Sequence, residues 1–95
     1  MYEVGGIAVD VSRHTVTAGG AATSLTIKEF DLLVYLIKNA GLVLTRDQIL
    51  GEVWGYDFDG ETRTVDVHVR TLRGKLGACG AVIQTVRGLG YKVSV

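Results

Sequence analysis

TRTVDVHVRTLRGKL, residues 62–76, is the stretch on which the reading of this chain turns. Val65, Val69, Leu72 and Leu76 recur at steps of four, three and four, which makes one apolar stripe of an amphipathic helix. At 100° per residue, Arg63, Val67, Arg70, Thr71 and Gly74 fall on the opposite side. That outward face is basic, with a methyl-rich residue and a hydroxyl among the guanidinium groups. A merely solvated face would mix both charge signs, whereas a face offered to phosphates and base edges has this character.

The formal net charge of zero conceals an asymmetry around this helix. Residues 62–95 carry Arg63, Arg70, Arg73, Lys75, Arg87 and Lys92 against Asp66 alone, a balance of +5. Residues 1–61 carry four cations against nine carboxylates, a balance of −5. Chance clustering of charges is the plain alternative, but a split this sharp points to a polyanion meeting the last third of the chain. The neutral total argues against indiscriminate binding by the whole surface.

Ninety-five residues make one domain, 1–95, able to bury roughly 60–65% of its unfolded surface without staples. No apolar run approaches the ~18 residues of a membrane span, and no signal-peptide pattern opens the chain. Cys79 is the single cysteine, so neither an intrachain disulfide nor a cysteine zinc set can form; it reads as a small loop or core residue. Proline is absent and thirteen glycines mark most of the turns.

Outward from the central helix, the pattern is regular. Ile7, Val9 and Val11 alternate with polar or small residues, 12–14 reads as a turn, 15–17 as the return strand and Gly19-Gly20 as a further turn. Residues 2–25 are therefore expected to form a small antiparallel sheet. Thr26 with Glu29 forms a capping box opening a first helix, whose core stripe is Phe30, Leu33, Val34 and Ile37 and whose left-handed cap is Gly41. Thr45 with Gln48 repeats the device for a second helix over 46–54, with Ile49, Leu50 and Val53 apolar. Residues 42–44 are too short for a helix and read as a brief extended piece. Residues 55–61 form a loop, the third helix stops at Gly77, and 77–81 form a second loop. A hairpin closes the chain: strand 82–86, turn 87–90 and strand 91–95, with Tyr91, Val93 and Val95 toward the core and Lys92 and Ser94 toward water. The fold class is α+β: an N-terminal antiparallel sheet, three helices over 26–77 and a C-terminal hairpin placed as the wing of a helix-turn-helix, whose connecting loop exceeds the usual 3–4 residues.

LTIKEFDLL at 25–33, LTRDQIL at 44–50, VWGYDF at 53–58, TRTVDVHVRTLRGKLG at 62–77 and TVRGLGYKV at 85–93 together closely resemble the DNA-binding effector domain of OmpR/PhoB-type response regulators. The likeness covers nearly the whole chain and its motifs occur in order. It implies a winged helix-turn-helix that binds double-stranded promoter DNA as a bacterial two-component transcription regulator in the cytoplasm, with no cofactor, metal or membrane partner. It also implies a phosphorylatable receiver domain N-terminal to this piece and outside it. Phosphorylation there would pair two copies in tandem on direct repeats, the isolated domain being monomeric.

Residue by residue, the resemblance places the third helix in the major groove, with Arg63, His68, Arg70 and Arg73 on phosphates or base edges. Trp54 and Tyr91 match phosphate-contacting positions beside the helix. Thr85 and Arg87 match the wing, whose arginine reaches toward the minor groove. The loop carrying Tyr56, Asp57, Asp59 and Glu61 matches the segment that touches RNA polymerase in some members. Where several relatives place a second base-reading arginine directly after the one matching Arg70, this chain has Thr71, which has no bidentate fork for guanine.

Each position has a plainer alternative. Arg70 lies four residues after Asp66 and could form a surface pair with it. Arg63 stands near a helix N-terminus, where the dipole disfavours a cation, which argues for an external anion. Arg73 and Lys75 lie on opposite flanks, where solvation suffices. His68 reads as a neutral phosphate donor or a surface residue rather than a metal ligand, since no second ligand stands at i+4. Val67 could meet a thymine methyl or simply be exposed. Trp54 is expected to pack one ring face and direct its indole N–H to a phosphate. No nucleophile triad, paired carboxylate or metal-ligand cluster is visible, so no enzyme is expected. The competing functional reading is a winged helix that holds polymerase or a receiver domain through its acidic surface, without DNA specificity.

Overall fold

The computed structural model describes residues 1–56, 58 and 60–94. Alternating residues at the N-terminus pair into a four-stranded antiparallel sheet of β1 (Tyr2–Val4), β2 (Ile7–Asp10), β3 (Thr15–Ala18) and β4 (Ala21–Ala22), in that spatial order. Val9 faces Val16 across the β2–β3 pair, and Ile7, Val9 and Val16 supply its buried side. Val11 does not continue the alternation. The Asp10 carboxylate accepts from the Ser12 hydroxyl at 2.8 Å and the Arg13 amide at 3.1 Å, which turns the chain and leaves Val11 exposed.

Helix α1 (Ile27–Lys38) starts at the expected capping box. The Thr26 hydroxyl accepts from the Glu29 amide at 3.2 Å, and Glu29 Oε1 accepts from the Thr26 amide at 2.9 Å. The helix ends at Asn39, ahead of the expected Gly41, which follows with φ of 90°. Its buried face is wider than the stripe read from the sequence: Leu32 and Leu36 are fully buried while Val34 is only partly so. The reason is that α1 is the central element, packed against β1, the end of the second helix, the third helix and the C-terminal sheet.

The brief extended piece is β5 (Leu44–Thr45), which leads directly into α2 (Arg46–Ile49) through the second capping box of Thr45 and Gln48. The helix then widens into a π-helical turn, Leu50–Trp54, whose Val53 carbonyl accepts from Lys28 Nζ at 2.9 Å. Helix α3 (Arg63–Leu76) stops at Gly77, where φ of 60° suits a residue without Cβ. The expected loop after it is instead a 3₁₀ helix, Gly77–Val82. Gly80 allows this, because a Cβ there would lie 2.6 Å from the Arg73 carbonyl oxygen.

The hairpin is β6 (Ile83–Val86) and β7 (Gly90–Val93), and β5 joins it to give a three-stranded sheet ordered β5-β7-β6. Gly90 is required where β7 passes β5, since any side chain would collide with the Leu44 carbonyl. Tyr91 and Val93 face the core as expected; the expectation for Val95 lies outside the described residues. Residues from every layer, including Ile7, Leu33, Ile49, Val69 and Val93, join one hydrophobic cluster. The wing is therefore seated on the same core as α3 rather than hanging from it.

Candidate nucleic-acid interface

The seating of α3 decides what it presents. Val65, Val69 and Leu72 are fully buried and Leu76 nearly so. Each fully buried aliphatic residue contributes about 1.5–3 kcal/mol, enough together to fix the rotation of the helix about its axis. Arg63, Val67, Arg70, Thr71 and Gly74 consequently all face solvent. The Arg63 side chain is 80% exposed, with Nη2 only within 4.0 Å of Glu61. A Cβ built on Gly74 meets nothing within 4 Å, so the middle of the face is open.

The alternative pairing of Arg70 with Asp66 does not form. Asp66 turns toward the wing, where Oδ1 accepts from Arg46 Nε at 2.8 Å and from the Tyr91 hydroxyl. Burial pushes the Asp66 carboxyl up, but these two donors and the Arg46 charge outweigh it and hold the group below its ordinary value. Arg70 is left exposed and without an ion pair among the described residues.

Tyr91 differs from its expectation as a phosphate contact. Its residue surface is 4% exposed and its hydroxyl is engaged by Asp66, so it orients its neighbours. The guanidiniums of Arg46 and Arg73 lie 5.2 Å and 5.5 Å from its ring centroid, two cation–π contacts. Arg73 is also engaged within the fold: Nε donates to the Ile83 carbonyl at 2.9 Å and Nη2 to Thr85 Oγ1 at 2.7 Å. Thr85 itself is exposed on the wing strand. Lys75 leaves the outer face altogether, donating from Nζ to the buried Glu29 at 2.7 Å.

On the other flank, His68 Nδ1 lies 2.8 Å from the Thr64 carbonyl. A carbonyl only accepts, so Nδ1 carries the proton and Nε2 of the neutral ring is an acceptor. The expected neutral phosphate donor is therefore corrected: only the imidazolium could donate outward. The Trp54 ring meets His68 edge-on at 4.8 Å and Phe58 at 6.5 Å, which leaves it half-buried beside the N-terminal half of α3.

The wing turn closes with the Leu89 amide donating to the Val86 carbonyl at 3.0 Å, and Arg87 stands exposed on it. In the 55–61 loop, Tyr56 is exposed and its hydroxyl donates to Glu52 Oε1 at 2.6 Å; Glu61 is exposed beside Arg63. The expectations for Asp57 and Asp59 lie outside the described residues.

Arg46 is the residue the sequence reading missed. It stands at the first position of α2, where the helix dipole disfavours a cation. The same signal singled out Arg63, and here the compensating anion is internal, Asp66. The face thus presents three exposed arginines (63, 70 and 87) around a methyl-bearing strip, with the remaining cations of α3 used to lock helix to wing and to α1.

Residues 20–93 match the family model described as "Transcriptional regulatory protein, C terminal". The chain is 52% identical over 96 residues to the sensory transduction protein RegX3 of Mycobacterium leprae, covering 98% of this chain and 48% of that protein. It thus spans about half the length of the curated relatives it matches. Among solved structures it is similar to the Thermotoga maritima OmpR/PhoB homologue DrrB, with a TM-score of 0.88 at 30% identity over 99% of this chain and 44% of that one. It is similar also to the Klebsiella pneumoniae RstA DNA-binding domain in complex with the RstA box, with a TM-score of 0.84 at 35% identity over 97% of this chain and 94% of that one. The matched family is one of transcription regulators, not of enzymes. The chain belongs to the C-terminal transcriptional regulatory family, the winged-helix DNA-binding effector domain of OmpR/PhoB-type response regulators.

Proposed function

We propose that this domain regulates transcription by laying α3 in the major groove of promoter DNA and directing Arg87 of the wing into the adjacent minor groove. The observation that carries the reading is the outward face of Arg63, Val67, Arg70, Thr71 and Gly74, set against a fully buried stripe on the same helix. A major groove about 12 Å wide admits such a helix. Arg70 stands mid-helix for base edges, Arg63 near the N-terminus for a phosphate. Trp54 and His68 flank the helix toward the backbone. Arg73 and Tyr91 hold the helix and wing in register.

A receiver domain preceding this one in the whole protein accords with the half-length coverage of its relatives. Two phosphorylated copies then bind direct repeats in tandem, in the cytoplasm, while the isolated domain is monomeric. The 55–61 loop, with Tyr56, Asp57, Asp59 and Glu61, offers RNA polymerase a carboxylate-rich contact. Selection of bound fragments from a random DNA pool tests the reading. Enrichment of a short motif repeated about 10–11 base pairs apart is expected. Equal recovery of all fragments would instead favour a protein-docking winged helix.

A further inference from the structure

The centre of the outer face of α3 presents methyl groups rather than hydrogen-bond donors. The Thr71 hydroxyl donates to the Val67 carbonyl one turn back, at 3.1 Å, so its only proton is engaged within the helix. The Thr71 residue remains exposed, and its Cγ2 methyl carries no competing contact of that kind. Val67, the residue to which it is bonded, is 54% exposed and contributes two more methyls on the same line of the helix. Gly74, the next residue along that line, has open space where a side chain would stand. Arg63 and Arg70 flank one edge of a strip whose chemistry is aliphatic and whose far end, at Gly74, is bare.

We propose that Thr71 and Val67 form a methyl-reading contact, specific for the C5-methyl group of a pyrimidine in the major groove, with Thr71 acting through its methyl and not its hydroxyl. The inference rests on the reading of α3 as the groove-inserted helix and adds the base feature recognised. In the major groove thymine alone among the unmodified bases presents a C5-methyl group. A hydroxyl already donating to the backbone cannot also donate to a guanine O6 or N7, so the position ceases to discriminate by hydrogen-bond donation. The open space at Gly74 lets the base edge approach the helix without a side chain intervening. Because only the methyl is sensed, 5-methylcytosine should serve in place of thymine.

The test uses the duplex recovered by the random-pool selection. Each thymine is replaced singly by deoxyuridine, which removes the C5-methyl and nothing else. At one thymine, or two adjacent ones, the affinity should fall about fourfold, the value of one buried methyl. 5-Methylcytosine placed there should bind about fourfold better than cytosine. Thr71→Val, which keeps the methyl and removes the hydroxyl, should preserve both effects. Thr71→Ser, which keeps the hydroxyl and removes the methyl, should shrink them to less than twofold. Deoxyuridine that is neutral at every thymine overturns the inference alone. So does a Thr71→Val variant that loses the discrimination while Thr71→Ser keeps it. A pool that yields no enriched sequence overturns the groove reading itself, and this inference with it.

Discussion

Arg73 Nη2 donates to Thr85 Oγ1 at 2.7 Å, joining the C-terminal half of the recognition helix to the wing strand β6. The same guanidinium reaches the Ile83 carbonyl through Nε at 2.9 Å and covers the Tyr91 ring. Beside the same ring, Arg46 and Asp66 tie α2 to α3. The outer face of α3 and the wing turn carrying Arg87, the two elements proposed to meet DNA, are thereby fixed relative to each other before any ligand arrives. That preorganisation reduces the ordering cost of engaging two grooves at once.

Arg73→Lys keeps the charge but cannot make both bonds in a fork. Stability should fall by about 1–2 kcal/mol, the range of one or two hydrogen bonds from a charged donor. Affinity for the selected duplex should fall several-fold while the salt dependence stays unchanged. Thermal unfolding and gel-shift titration measure the two. Parental affinity in Arg73→Lys would show that the fastening is irrelevant to binding.

Acid should loosen the domain at two points. Glu29 is 4% exposed; burial pushes its carboxyl up, but Lys75 and the Thr26 amide outweigh burial and hold it below its ordinary value of 4.5. Asp66 is likewise held below its ordinary value of 3.8, with burial outweighed by Tyr91 and Arg46. A carboxyl whose folded pKa is depressed contributes stability that is present above its unfolded pKa and lost as pH falls through the folded one. Stability should therefore be flat above about pH 5 and decline below it. Glu29→Gln should lower stability at pH 7 by about 1.5–3 kcal/mol and flatten that decline. An equally steep acid limb in the variant would remove Glu29 as its source.

Gly74→Ala separates folding from binding. The added methyl meets nothing within 4 Å in the free protein. Alanine in a helix interior is favoured over glycine by about 1 kcal/mol. The variant should unfold at a temperature several degrees higher and bind the selected duplex more weakly, because the methyl stands where the base edge approaches. Denaturation curves and titrations on the same sample decide it; unchanged affinity would mean that DNA does not come close at that position.

The recognition helix and both helix starts were legible because their signals are local. The four-three-four spacing of Val65, Val69, Leu72 and Leu76 gave the burial of α3, and the Thr26–Glu29 and Thr45–Gln48 boxes gave the helix starts. The lock between helix and wing was not legible. Asp66 is twenty residues from Arg46 and twenty-five from Tyr91, and no short-range pattern foretells which of Arg46 and Arg70 it will choose. Leu32 and Leu36 escaped the stripe of α1 because a helix surrounded on several sides has no single buried face. Which arginines stay free for a ligand, and which are held within the fold, depended on those same distant contacts.

On the proposed reading, Arg63, Arg70 and Arg87 remain available and meet a polyanion. The salt dependence of binding to the selected duplex measures it most directly. Three cations placed in the field of DNA predict that log K falls against log salt with a slope near −3, and that each Arg→Gln replacement among the three reduces the slope by about one. A slope near zero, or one unchanged when all three are replaced in a folded domain, would mean that these arginines do not meet DNA.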